Sequence, residues 1–260
     1  MTTVAFQKYQ GVGNDFIIID NRKNIFPKKS IKLINKLCNR KFGIGADGLI
    51  LLENSADYDF KMIYFNADGN ESTMCGNGGR CIVAFAKQLE LFEFSTTFEA
   101  IDGAHIALLE NDEVNLQMID IHNVEHHFNY YFVNSGSPHH IIITPHLNLC
   151  NVVSEGRKIR NGAPYFEQGT NVNFVEKMAE NHFKIRTYER GVEDETLACG
   201  TGATAVAIAM YDAKFTTNTS LIIETLGGKL EVSFQKEKNY YKNIYLKGLA
   251  TFVFKGEIEI

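Results

Sequence analysis

Short runs dominated by β-branched and aromatic residues recur along the chain, at Phe16–Asp20, Phe60–Phe65, Thr96–Ala100, Glu113–Met118, His140–Thr144, Asn171–Glu176, His182–Tyr188, Leu221–Glu224 and Lys229–Phe234. Bounded by Gly and polar residues, they predict strands. Apolar residues change to helical spacing near 30–40, 77–91, 148–160 and 201–213. Those stretches predict helices. Many strands per helix, with the helices interspersed, give an α+β class.

Internal repetition sharpens this picture. Glu71-Ser-Thr-Met-Cys75-Gly76-Asn77-Gly78 returns as Glu195-Thr-Leu-Ala-Cys199-Gly200-Thr201-Gly202, close to half the chain away. The shared pattern is ExxxCGxG followed by a small and apolar helix. Two similar domains, each carrying one such loop and helix, are the simplest account. No Pro-rich or Ser-rich linker divides them, and the polar stretch His122-Asn123-Val124-Glu125-His126-His127 is the candidate boundary.

Composition narrows the function classes. The 260 residues are 45% hydrophobic and 22% charged, which suits a globular protein able to bury its own cores. A net charge of -5, with no basic run longer than Pro27-Lys28-Lys29, argues against nucleic acid as a partner. No apolar run approaches the ~18 residues that a membrane span needs, and the first 25 residues lack a signal-peptide pattern. A cytoplasmic protein without a membrane partner is the expectation.

The five cysteines (38, 75, 81, 150, 199) are odd in number and include no CxxC pair, so neither a disulfide framework nor a metal site is expected. Cys38 shares a helical apolar pattern with Ile31, Ile34 and Leu37, and Cys81 is also expected in a core. Cys75 and Cys199 differ. A cysteine directly before a Gly-rich helix start meets backbone N–H groups without helical acceptors and the positive end of the helix dipole. Both favour thiolate over thiol. The glycines let backbone N–H groups approach a carboxylate closely.

Two such loops provide a base and an acid for removing a proton beside a carboxylate and returning one on the other face. Helix N-termini at the carboxylate would stabilise the charge that accumulates there. Stereoinversion at an α-carbon without a cofactor follows as the leading reading. Gly43-Ile-Gly45-Ala-Asp-Gly48 satisfies GxGxxG literally, yet it precedes the strand-like Leu49–Leu52 instead of following a strand, so no nicotinamide binding is expected.

Several motifs in order resemble one known family. GVGNDF (11–16), GIGADGL (43–49), FNADGNESTMCGNGGRC (65–81), GSPHH (136–140), TNVNF (170–174) and YERGVEDETLACGTGATA (188–205) are similar to those of diaminopimelate epimerase, a pyridoxal-independent epimerase of lysine and peptidoglycan precursor synthesis. The resemblance implies two pseudo-symmetric domains, each a mostly antiparallel sheet curled around a central helix, with the active site in the cleft between them. It also implies that the last segment, from about Leu249, returns to the first domain. Residues 1–120 with 249–260 would form one domain and 121–248 the other. Cys75 and Cys199 would be the acid/base pair, with Glu189 and His139 assisting them. Asn14, Asn66, Asn77, Asn171, Glu189 and Arg190 would bind the amino-acid substrate, together with the backbone around Gly76, Gly200 and Thr201. A homodimer is implied by the family alone.

This sequence departs from the family at three places: Ser137 stands where many members have Asn, Gly48 where some have Gln, and Thr201 replaces a common Ser. Proline and hydroxyproline racemases share a two-Cys arrangement, but NADGN and YERG fit the diaminopimelate family better. A Cys-His hydrolase using His139 as base leaves the second loop unexplained. A dithiol/disulfide sensor built on Cys75 and Cys199 is a third alternative.

Overall fold

The structure is a computed structural model that describes residues 2–72, 74–110, 113–238 and 240–260. Thr73, inside the first Cys motif, lies outside the described residues. The chain divides into two compact units, Met1–Leu116 with Gly248–Ile260, and Gln117–Lys247. The boundaries expected at 120 and 249 fall at 116 and 248.

In the first unit, strand Thr3–Gly11 turns into Asn14–Asp20, with Gly13 at φ 87 in the turn. That region admits Gly readily and other residues rarely. Helix α1 (Ile31–Cys38) then crosses over to Gly48–Glu53, which runs parallel to Asn14–Asp20 and is followed by antiparallel Phe60–Asn66. The short strand Glu71–Ser72 leads to helix α2 (Gly76–Gln88), after which Ser95–Ala100 pairs parallel with Phe60–Asn66 and begins a meander through Gly103–Glu110 and Glu113–Gln117. The last strand, Thr251–Glu259, lies antiparallel against Thr3–Gly11.

The second unit repeats the scheme. Tyr131–Asn134 turns at Gly136 (φ 99) into Pro138–Ile143, and helix α3 (Val152–Asn161) crosses to the parallel strand Asn171–Ala179. His182–Glu189 and the short Asp194–Thr196 follow, then helix α4 (Gly200–Asp212) and the meander Ser220–Thr225, Gly228–Glu237, Tyr240–Leu249. Both units therefore hold a mixed, mainly antiparallel sheet with one parallel pairing on each side of a central antiparallel pair.

Each sheet curls around one helix. Helix α2 touches five strands of its unit and is buried almost continuously from Gly76 to Ala86. Helix α4 likewise touches five strands and buries Ala203 to Met210 without a gap. A helix with no polar stripe can only be a core element. Its Gly and Ala residues let strands approach on every side. Helix α1 instead lies on the outer face, where Ile34, Leu37 and Cys38 pack against Ile17, Leu49 and Leu51 while its polar side faces water.

Among the described residues, no helix is long and apolar enough to cross a membrane.

Candidate active site

Cys75 and Cys199 occupy matching places, each the residue that caps the N-terminus of its unit's central helix. Both have extended backbone, with φ/ψ of -95/127 and -123/113, and neither sulfur makes a side-chain capping bond to its own helix. N-caps are usually Ser, Thr, Asp or Asn, whose oxygens satisfy the first N–H groups. A cysteine leaves those groups without a helical acceptor and the positive dipole end uncompensated.

Around Cys75, which is half-buried, the sulfur donates to Asn14 Oδ1 at 3.6 Å. Asn77 Nδ2 donates to the same oxygen at 3.3 Å, and Asn77 Oδ1 accepts from Arg80 at 2.8 Å. Asn14 Nδ2 in turn donates to Asp47 at 2.7 Å. Arg40 bridges Asp47 and Asp15, and Lys8 pairs with Asp15 at 2.8 Å. Burial pushes the Asp15 carboxyl up, but hydrogen bonds from Arg40 and Lys8 and their charges outweigh it and hold it down at about 2. Arg80 is wholly buried, also donates to the Gly76 carbonyl, and has its pKa lowered by that burial.

Cys199 is 7% exposed and has a different environment. Its sulfur lies 3.4 Å from Thr201 Oγ1, which is 3.0 Å from Nε2 of the fully buried His139. His139 Nδ1 lies 3.0 Å from Asn173 Nδ2, and Asn173 Oδ1 accepts from Thr187 at 3.0 Å. Burial, with the charge of Arg190, drops the His139 pKa to about 3. The ring is therefore neutral at physiological pH. Thr201 is further held by Ser135 Oγ donating to its carbonyl at 2.8 Å.

The remaining expected residues fall into three groups. Gly76 and Gly200 are the first residues of α2 and α4, and their carbonyls accept from Arg80 and Thr204. Asn171 Nδ2 donates to Ser137 Oγ and to the Pro138 carbonyl, both at 3.0 Å, while its Oδ1 accepts from the Arg190 backbone at 2.9 Å. Arg190 Nη1 reaches the Gln168 carbonyl, and Glu189, half-buried at a strand end, accepts from Thr196 Oγ1. Asn66 ends its strand exposed beside Gly48. Ser137 is thus a partner of Asn171. Gly48 has no room for a side chain, since a Cβ there would lie 2.5 Å from Tyr64 Cε2 and 2.6 Å from the Phe65 carbonyl oxygen.

Sequence reasoning missed Asn173, Thr187, Arg80 and Asp47. The ladders show what could have found the first two. Ile50 pairs with Ile18 and Tyr64, whereas Asn173 pairs with Ile141 and Thr187 at the corresponding rungs. Phe16 and His139 match in the same way through Gly48 and Asn171. Phe16, Ile50 and Tyr64 of one unit are replaced by His139, Asn173 and Thr187 in the other. The fold does not require polarity at these places.

Comparison with known proteins gives the family and the fold. The family model described as Diaminopimelate epimerase matches residues 6–120 and 131–253. A diaminopimelate epimerase of Flavobacterium psychrophilum is 58% identical over 96% of this chain and 98% of its own length. That of Chlorobaculum tepidum is 42% identical over 96% and 99%. Among solved structures, a phenazine biosynthesis protein of the PhzF family from Bacillus anthracis superposes with a TM-score of 0.81 at 16% identity, over 100% of both chains. A probable proline racemase from Agrobacterium radiobacter gives 0.71 at 14% identity, covering 99% of this chain and 93% of its own. Such low identities speak for the fold alone, whereas the family match and the close relatives speak for descent. The chain belongs to the diaminopimelate epimerase family.

Proposed function

We propose that the protein interconverts LL- and meso-2,6-diaminopimelate by moving protons at one α-carbon between two thiols, without a cofactor. The observation that carries this reading is the doubled placement of a cysteine at the N-terminus of each unit's central helix. Stereoinversion needs a base for one face of the carbon and an acid for the other, and each unit supplies one thiol. Charge accumulating on the substrate carboxylate is stabilised by N–H groups at a helix start. Amides such as Asn14 and Asn171 suit a substrate with both ammonium and carboxylate groups, since they donate and accept.

The test is α-proton exchange from D2O into LL- and meso-diaminopimelate, for the wild type and for Cys75→Ser and Cys199→Ser. Exchange with wild type and loss of epimerisation in both variants supports the proposal. Exchange with neither isomer ends it, and deuterium entering only proline would transfer the chain to the racemase reading. Residence in the cytoplasm belongs to the same proposal, supported by the need to keep both thiols reduced. So does a homodimer, supported by exposed Phe252, Val253 and Phe254 on the terminal strand. A monomer mass by light scattering would remove it.

A further inference from the structure

Glu193 holds a backbone conformation that its residue type does not favour. Its φ of 60 lies in the left-handed region, in the loop 190–193 that joins the paired strand residues Glu189 and Asp194. Glycine adopts that region freely, whereas a glutamate is strained there. The carboxylate that comes with the strain is heavily engaged. It accepts from the Gly191 N–H at 3.0 Å, from the Tyr188 hydroxyl at 3.1 Å and from Arg160 Nε at 3.0 and 3.1 Å.

Arg160 reaches this carboxylate from the last turn of helix α3. Gly156 lets that helix lie close to the strand, since a Cβ there would be 2.4 Å from Tyr188 Cβ. The same guanidinium touches a second loop, 162–169. Arg160 Nη1 donates to the Phe166 carbonyl at 3.3 Å, and a Cβ at Gly169 would lie 2.5 Å from that nitrogen. One side chain, 16% exposed, thus ties loop 162–169 to loop 190–193. The two loops meet again at Arg190, whose Nη1 donates to the Gln168 carbonyl at 2.9 Å. Its backbone N–H donates to Asn171 Oδ1, also at 2.9 Å.

The charge of Arg190 is not spent on a carboxylate. Among the described residues it forms no ion pair, whereas Arg22, Arg40, Arg160 and Arg186 each pair with an Asp or Glu. The carboxylate of its own loop, Glu193, is held by Arg160 instead. Burial first, and the charge of Arg190 second, keep His139 unprotonated, so this guanidinium lies within electrostatic reach of the residues beside Cys199. A planar cation fixed at one edge there suits a substrate carboxylate.

We infer that Arg160 and Glu193 form a brace that positions the Arg190 guanidinium for a substrate carboxylate. Arg160 locks the loop that carries the Gln168 carbonyl, and Glu193 fixes the loop that carries Arg190. Arg160 also keeps the anion of that loop turned away from Arg190, which leaves the charge for the substrate. The inference deepens the diaminopimelate reading and rests on it for the identity of the carboxylate. Both are positioning residues that act through Arg190. Glycine at 193 would relieve the backbone and remove the brace, which separates stability from positioning.

The test combines steady-state epimerisation of LL-diaminopimelate with backbone hydrogen–deuterium exchange of the substrate-free protein, on wild type, Glu193→Gly, Arg160→Gln and the double variant. Glu193→Gly should raise KM about tenfold and change kcat less than about threefold, because a displaced anchor weakens binding more than chemistry. Its urea midpoint should stay level or rise, since glycine suits the φ of 60. A role in stability alone would lower the midpoint and leave KM in place. Glu193→Gln, which keeps an acceptor for Arg160 and Gly191, should recover most of the affinity. Arg160→Gln should raise KM at least as much, and the double variant no further than the larger single effect, because both act through one guanidinium. Amide exchange should quicken in peptides covering 162–169 and 190–193 and not in helix α4. KM within about twofold of wild type in folded Glu193→Gly, additive effects in the double variant, or unchanged exchange in both loops overturns the inference. No turnover by wild type, with exchange quickened in those two loops by either substitution, leaves the brace standing and removes the substrate reading instead.

Discussion

Alanine at Gly78 and at Gly202 should have opposite effects, although the two glycines hold the same place in the repeated motif. Each lies in the first turn of a central helix, where Gly→Ala alone gains about 0.5–1 kcal/mol from backbone entropy. At Gly78 a Cβ would meet Ile50 Cδ1 at 3.2 Å, Met62 Cε at 3.4 Å and Phe16 Cε1 at 3.5 Å. The tightest of these are ends of flexible side chains, which yield by a few tenths of an ångström. At Gly202 the Cβ would lie 2.6 Å from Asn173 Oδ1. Asn173 would have to retreat by roughly 0.7 Å to reach an ordinary carbon–oxygen contact. It is held by bonds to Thr187 and His139, both at 3.0 Å. Stretching both costs about 2 kcal/mol at about 1 kcal/mol per bond. Gly78→Ala should therefore be neutral or slightly stabilising, and Gly202→Ala destabilising by about 1 kcal/mol net of the helix gain. Urea denaturation followed by circular dichroism measures the difference, read from midpoints at unchanged slope. Gly202→Ala should also lose most of its α-proton exchange, as His139 loses the bond that holds its ring beside Thr201. Equal stability of the two variants, or a more stable Gly202→Ala, would refute the reasoning.

Other consequences can be checked separately. The Asp15 carboxyl, held down at about 2 against an ordinary value of 3.8, adds stability that is present above pH 4 and lost as pH falls toward 2. Discounted for the exposure of Arg40, this is about 1–2 kcal/mol, and acid titration of Asp15→Asn should show a flatter limb over that range. Arg80→Met should change the urea midpoint little, by less than about 2 kcal/mol, because the guanidinium's burial cost leaves together with its bonds. Its α-proton exchange should nonetheless fall at least about tenfold as Asn77 and Asn14 lose their orientation. Burial pushes Cys38 and Cys81 up to about 12, so neither should take iodoacetamide in the native protein at pH 8. Native labelling of either at the rate of Cys75 would contradict their place in the core.

The helices were legible because their signals are local. Each begins at or directly after a Gly or polar residue and carries small or apolar spacing that no strand would show, and all four lie where the pattern puts them. The edge strands were not. Thr251–Glu259 carries Phe252, Val253 and Phe254 in succession, all largely exposed, so the alternation that marks a half-buried strand is missing. What makes it a strand is its pairing with Thr3–Gly11, from Thr3 with Glu259 to Gln10 with Thr251, at the opposite end of the chain. No window of neighbouring residues contains that information. Tyr131–Asn134 and Tyr240–Leu249 escaped for the same reason, as short or mixed segments defined by their partners.

The site divides along a related line. What the two copies share was visible as a repeat: the cysteine, the glycines and the helix that follows. What distinguishes one thiol from the other lies in residues they do not share, and matching those residues needs the ladders. Asn66 lies nine positions before Cys75 and Glu189 ten positions before Cys199, so a gapless overlay of the motifs slips by one before it reaches the strands. A one-residue slip reverses which side chains face the helix. Only with Ile50 set against Asn173 and Tyr64 against Thr187 does the polar chain behind Cys199 stand out as different from the same rungs of the first unit. Two-base inversion as proposed needs one protonated and one deprotonated sulfur at a time, because two thiolates would have no proton to return and two thiols no base to begin. The repeat provides a pair of sulfurs at matching helix starts, and the residues around them differ, with Asn14 and Asn77 at Cys75 and Thr201 and His139 at Cys199.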